Sequence, residues 1–172
     1  MTSSQASQCR VWRLGADVDT DAIAPGHAMK YGIEDIARYC LESLRPEFAS
    51  QVRRGDVIVA GPNFGIGSSR EQAAAALVHL GVAAVIAPSF GGLYFRNAFN
   101  VGLLLLTCEQ AQQMADGERV DFDARSGRLV RADGSVLAME PIPGFLLDMV
   151  EAGGLMAQLQ QRFKATTTRT EV

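Results

Sequence analysis

Two hydrophobic rhythms alternate along the chain. Short runs rich in branched apolar residues, at positions 9–14, 56–60, 82–87 and 103–106, predict strands, and the unbroken apolar character of the second and third predicts burial on both faces. Between them, Ile33, Ile36, Ala37, Cys40, Leu41 and Leu44 recur at the 3-and-4 spacing of one helical face, which predicts a helix over 33–44 that Pro46 limits. A second, alanine-rich helix opens at Ser68-Ser69-Arg70-Glu71 and runs to about position 80. Its expected signals are a serine cap, Glu71 in the first turn and Gly81 just past the end. A short helix over 93–100 completes a strand, loop, helix, strand order, the grammar of an α/β fold with parallel pairing and right-handed crossovers. After a helix expected at 109–115, the runs 119–124, 129–131 and 135–139 are separated by Arg125-Ser126-Gly127-Arg128 and Ala132-Asp133-Gly134, which are hairpin signals. Positions 145–163 carry a closing helical stripe loosened by Gly153-Gly154. The expected organisation is a flexible start at 1–8, a single domain over 9–163 and a flexible tail at 164–172, without an internal repeat.

Composition agrees with a folded domain: 172 residues, 48% hydrophobic and 20% charged. Sixteen Lys and Arg face nineteen Asp and Glu for a net charge of −3, so no basic excess supports binding to nucleic acid. The longest apolar runs, 73–78 and 82–87, fall far short of the roughly 18 residues a membrane span needs. The first residues, Met1-Thr2-Ser3-Ser4-Gln5-Ala6-Ser7-Gln8, lack the basic and apolar regions of a secretion signal, and a cytoplasmic location is expected. Three cysteines, Cys9, Cys40 and Cys108, without C-x-x-C spacing, read as buried inert thiols rather than a disulfide framework or a metal site of this chain's own.

The stretch richest in chemistry is Gly61-Pro62-Asn63-Phe64-Gly65-Ile66-Gly67-Ser68-Ser69-Arg70-Glu71-Gln72. Its glycines allow unusual backbone conformations, and the helix start beyond them presents unpaired N–H groups, an anion site in outline. Nucleotide motifs fail here: a P-loop from Gly61 needs glycine at position 66 and lysine at 67, and a dinucleotide fingerprint from Gly65 needs a small residue where Arg70 stands. Two hydroxyls and a guanidinium suit a small carboxylate, with Arg70 as a bidentate fork and Ser69 and the amides on the remaining oxygens. On residue types alone, a plain serine cap with Arg70 paired to a nearby acid fits equally well.

These residues also carry a resemblance. Asn63-Phe64-Gly65-Ile66-Gly67-Ser68-Ser69-Arg70-Glu71 resembles the signature loop of the small-subunit family of 3-isopropylmalate dehydratases, in the aconitase superfamily. Asp17-Val18-Asp19-Thr20-Asp21-Ala22-Ile23, Gly55-Asp56-Val57-Ile58-Val59-Ala60-Gly61, and the stretch from Ser89-Phe90 to Gly102-Leu103 are similar to that family too, in its order, so that the likeness covers about residues 10–160. The resemblance implies a β/β/α swivelling domain that closes over a large subunit holding a [4Fe–4S] cluster, with no metal bound by this chain. It implies isomerisation of 2-isopropylmalate to 3-isopropylmalate through 2-isopropylmaleate, a hydro-lyase reaction of leucine biosynthesis. Carried over by position, Ser68 corresponds to the catalytic base and Arg70 to the arginine that binds substrate carboxylate, assisted by Ser69, Gly67 and the loop amides. A hydroxyl can act as base only where oriented dipoles and cations hold it as an alkoxide.

The chain departs from the commonest family pattern at Ile66, where cysteine is frequent, at Gln72, where histidine is frequent, and at Gly91-Gly92, where an Ala-Arg pair is usual. These departures bear on substrate identity and keep citraconate, maleate, dimethylmalate and homoaconitate as alternatives. A carboxylate-binding module without catalysis is the alternative from another class. Asp17-Val18-Asp19-Thr20-Asp21 has D-x-D-x-D spacing, but an EF-hand from Asp17 needs glycine at position 22 and glutamate at 28, and the chain has Ala22 and Ala28. The family likeness makes Asp19, Thr20 and Asp21 supports of the active site. The segment Pro25-Gly26-His27-Ala28-Met29-Lys30-Tyr31 corresponds to the loop that meets the substrate's variable group: Ala28 and Met29 suit an alkyl group, Lys30 suits an extra carboxylate, and His27 completes the loop. The implied partners are the large subunit and a small dicarboxylate, and in isolation the chain is compatible with a homo-oligomer.

Overall fold

The parallel half of the sheet grows from apolar runs flanked by glycine and polar loops. In the computed structural model, which describes residues 8–169, β1 (Cys9–Arg13), β2 (Val57–Val59), β3 (Ala84–Ala87) and β4 (Leu104–Thr107) lie side by side and parallel. Each crossover carries helix: α1 (Thr20–Ile23), α2 (Ile33–Arg38) and α3 (Phe48–Gln51) before β2, α4 (Glu71–His79) before β3, and α5 (Gly92–Asn100) before β4. Helix α4 packs between α2 and α5. Every residue of β2 and β3 is buried, as their continuous Val, Ile and Ala character requires.

The other edge of β1 turns the sheet antiparallel. Cys9 and Arg10 pair with β5 (Arg119–Asp123), which continues into β6 (Arg128–Arg131) and β7 (Val136–Ala138) through tight turns. The full order is β4-β3-β2-β1-β5-β6-β7. The chain closes with α6 (Gly144–Glu151) and α7 (Leu155–Arg169). Among the described residues no helix is long and apolar enough to cross a membrane.

Several sequence expectations need correction. The helix expected over 33–44 stops at Arg38, because Leu41 takes a left-handed φ of 60° and gives its N–H to Ala22 O at 3.0 Å instead of to its own helix. The helix expected at 109–115 is a single 3-10 turn, Ala111–Gln113. Helix α7 continues through Arg169, into the segment expected as a flexible tail, while positions 1–7 of the expected flexible start and 170–172 of the tail lie outside the described residues. Cys40 and Cys108 are buried but Cys9 is half-buried; burial is the main cause that raises all three thiols above their ordinary pKa.

Candidate active site

Three loops leave the C-terminal ends of β1, β2 and β3 and are stitched to one another, the place where parallel α/β sheets build sites. The loop after β2 lies in the middle. Gly65 N–H donates to Val18 O at 2.7 Å and Thr20 N–H to Ile66 O at 2.9 Å on the β1 side, while Phe64 N–H donates to Ser89 O at 3.1 Å and Gly91 N–H to Phe64 O at 2.9 Å on the β3 side. Gly65, at φ 80°, passes directly over Tyr94: a Cβ there would lie 2.2 Å from the ring. Tyr94 itself is fully buried and meets Phe64 edge to face at 5.5 Å. Glycine is required at Gly65 by conformation and by space alike.

The loop delivers Gly67, Ser68, Ser69 and Arg70 at the mouth of α4, with the first three exposed. The expected serine cap is absent. Arg70 occupies the cap position, no side chain caps α4, and Ser68 is turned instead toward Thr20. Ser68 N–H donates to Thr20 Oγ1 at 3.0 Å, and the two hydroxyl oxygens are 3.1 Å apart. Arg70 Nη1 donates to Asp21 Oδ1 at 2.9 Å and to Ala24 O at 3.0 Å, while its Nε and Nη2 make no hydrogen bond among the described residues. The guanidinium is thus anchored by one nitrogen, and the other two are open donors. Asp21 Oδ1 also accepts Gly26 N–H at 3.1 Å. The hydrogen bond from Arg70, aided by Gly26 N–H, holds the Asp21 carboxyl below the usual carboxylate range. Asp19 caps α1 through Ala22 N–H, at 2.7 Å.

Residues 42–111 match the aconitase C-terminal domain family. Over 149 residues the chain is 48% identical to the methanogen homoaconitase small subunit of Methanothermobacter thermautotrophicus, a match covering 86% of each chain. It is 43% identical over 152 residues to 3-isopropylmalate dehydratase small subunit 1 of Archaeoglobus fulgidus, covering 86% of this chain and 92% of that one. The chain belongs to the small-subunit family of 3-isopropylmalate dehydratases and homoaconitases. A solved 3-isopropylmalate dehydratase from Methanocaldococcus jannaschii has the same fold: the TM-score is 0.88 at 36% identity, covering 94% of this chain and 98% of the other. The swivel-type α/β domain expected from the sequence is therefore the fold of this family member.

Within this family frame, the expected specificity loop divides. His27 is exposed, bonded through Nε2 to Glu42 and set edge to face against Tyr39 at 4.9 Å. Ala28 is fully buried, so its methyl group belongs to the core and does not line the site in this structure, contrary to the expected contact with an alkyl group. Met29 is half-buried against that core, and Lys30 is exposed with its ammonium 5.1 Å above the Tyr31 ring. A cleft of about 430 Å³ opens beside the site, lined by Asp17, Asp19, Asp21, Ala22, Ser43 and Leu44 among others, and neither Ser68 nor Arg70 lines it. No group of three His, Cys, Asp or Glu side chains able to hold a metal ion occurs among the described residues.

Sequence reasoning missed two supports of the loop. Asn63, at φ 64°, ties the loop's base to Asp17 through its side-chain amide, at 2.8 Å, and its N–H donates to Ser89 Oγ at 2.8 Å. Asn97 on α5 donates to Ser69 O at 3.0 Å. The left-handed preference of asparagine is the one local signal that pointed to Asn63; Asn97 left none, since its partner is 28 positions away.

Proposed function

We propose that this chain is the small subunit of a heteromeric hydro-lyase of the cytoplasm that isomerises 2-isopropylmalate to 3-isopropylmalate by dehydration and rehydration, in leucine biosynthesis. One observation carries the reading: Ser68 is exposed at the mouth of α4 and spared from capping, and Arg70, two residues on, has its Nε and Nη2 open among the described residues. Ser68 takes the proton from the carbon next to a substrate carboxylate and returns a proton on rehydration. Arg70 holds the carboxylate through the free side of its fork, and the amides of Ser69 and of the α4 mouth meet developing negative charge. Removal of that proton places charge on the carboxylate, so donors aimed there stabilise the transition state more than the ground state. The partner is a large subunit holding a [4Fe–4S] cluster, which supplies Lewis-acid assistance to the departing hydroxyl.

The exposed Lys30 and the 48% identity to a homoaconitase small subunit favour a second reading with the same chemistry, in which the substrate carries a third carboxylate. The deciding experiment co-produces the chain with a large subunit of the same family from its own source. Hydration of 2-isopropylmaleate, homoaconitate, citraconate and maleate is then assayed in parallel. Preference for 2-isopropylmaleate supports the first reading and preference for homoaconitate the second, while absence of turnover on every diacid leaves neither standing. In the active complex Ser68→Ala lowers kcat at least a thousandfold with partner binding retained.

A further inference from the structure

Two polar side chains are buried among the described residues, Asp56 and Thr20. Asp56 is accounted for by Arg10, the Trp12 indole and Arg53 N–H, all in its hydrogen-bonding shell. Thr20, 2% exposed, turns its hydroxyl toward the loop of Ser68. We propose that Thr20 is a positioning residue that donates its hydroxyl hydrogen to Ser68 Oγ and so favours the ionised form of that oxygen. The proposal rests on the reading of Ser68 as the base.

The direction of the bond follows from counting hydrogens. A backbone amide only donates, so at 3.0 Å from Ser68 N the Thr20 oxygen is the acceptor. Thr20 still has one hydroxyl hydrogen to place, and a buried donor left without a partner is costly. The remaining hydrogen-bond partner of that hydroxyl among the described residues is Ser68 Oγ, at 3.1 Å. Donation therefore runs from Thr20 to Ser68, and the Ser68 hydrogen is left to point outward, toward solvent or an incoming acid. Gly67 keeps this arrangement open: a Cβ there would approach Thr20 Oγ1 to 3.1 Å, tighter than an ordinary contact. Thr20 is held in place in turn, because its own N–H bonds Ile66 O and α1 is capped by Asp19. A donor fixed before reaction needs no reorganisation when charge appears on its partner.

The test replaces the oxygen by a titratable sulfur in the full chain. Ser68→Cys introduces a thiol whose pKa is read from the pH dependence of alkylation by iodoacetamide, with the wild-type chain supplying the background from the native cysteines. With Thr20 present the introduced thiol titrates about one pH unit lower than in the Ser68→Cys, Thr20→Val double variant, a tenfold difference in thiolate fraction at fixed pH. Thr20→Ser in place of Thr20→Val restores the low value, and Thr20→Ala repeats the high value without the second methyl. Equal titration of all the double variants and Ser68→Cys overturns the proposal.

In the complex with the large subunit, Thr20→Val lowers kcat about tenfold, leaves KM near the wild-type value and moves the rise of kcat to higher pH, while Thr20→Ser recovers the wild-type profile. A Ser68→Ala complex that still turns over sinks the base assignment itself. An inactive Ser68→Ala complex beside a Thr20→Val complex with the wild-type rate and pH profile sinks the role of Thr20 alone.

Discussion

At Arg70 the geometry separates an anchoring contact from the ligand contact proposed for the same guanidinium. Nη1 is fixed by Asp21 and Ala24 O, which sets where the plane of the group lies. An ammonium at the same place can keep the contact with Asp21 but loses the second, planar edge. Arg70→Lys is therefore expected to raise KM for the diacid and to lower kcat/KM by about a hundredfold, near 2.7 kcal/mol, with the fold unchanged. Steady-state kinetics on the two-subunit complex check it, and an unchanged KM would move carboxylate recognition away from Arg70. Asp56 shows the same economy in the core. Burial pushes its carboxyl up, but the Arg10 guanidinium, Arg53 N–H and the Trp12 indole outweigh burial and hold it below the usual range. A depressed folded pKa contributes stability above the unfolded value of about 3.9, and that contribution is lost as pH falls through the lower folded value. Acid unfolding followed by circular dichroism is expected to show this loss below about pH 4. Asp56→Ala, which removes the acceptor of four donor nitrogens from Arg10, Trp12 and Arg53, is expected to cost about 3 kcal/mol at neutral pH in urea unfolding.

The same accounting at the scale of elements gives a contrast between adjacent positions. Gly91 has ordinary backbone angles, yet a Cβ there would sit 2.6 Å from Gly65 O, so the start of α5 touches the loop backbone. Gly92, the next residue, would meet nothing within 4 Å. Gly91→Ala is expected to lose about 2 kcal/mol and to lower kcat by shifting the loop that carries Ser68, whereas Gly92→Ala is expected to gain about 0.5 kcal/mol. Thermal unfolding of the two variants side by side decides it; equal effects would mean that α5 and the loop move independently. The contrast also marks what could be read in advance. β2 and β3 were legible because an unbroken Val, Ile and Ala run fits a strand covered on both faces, and Gly81 announced the end of α4 from sequence alone. Ser68, Arg70, Thr20 and Asp21 stood out in the sequence as parts of motifs, but the roles proposed for Ser68 and Arg70 rest on the family likeness and not on spacing. The early end of α2 was not legible, since it depends on a bond from Leu41 to Ala22, and neither was the clash that reserves Gly91. Both are long-range contacts, which leave no period in the chain. The serine cap misled because Ser68 satisfies every local rule for capping, while its hydroxyl oxygen pairs with a tertiary partner, Thr20.

At the scale of the molecule the three loops converge on one end of the parallel strands, and that end is open. Gly67, Ser68 and Ser69 are exposed, Arg70 retains 29% of its side-chain surface, and the neighbouring cleft is lined by Asp19 and Asp21 but not by Ser68 or Arg70. Water of high dielectric weakens a guanidinium–carboxylate pair to about 1 kcal/mol or less, too little to hold a hydrated dicarboxylate. A second protein surface covering this end would remove the water, strengthen each charged hydrogen bond and supply the walls that the chain lacks. The isolated chain is thus expected to bind a saturated dicarboxylate analogue with a Kd no tighter than about 1 mM, and the two-subunit complex to bind it at least a hundredfold tighter. Calorimetric titration of each with the same analogue, at two salt concentrations, measures the difference. Salt should weaken what binding the isolated chain shows and leave the complex little affected, because screening acts on exposed pairs and scarcely on enclosed ones. Micromolar binding by the chain alone would mean that the site is complete without a partner, and the outward-facing mouth of α4 would then need another explanation.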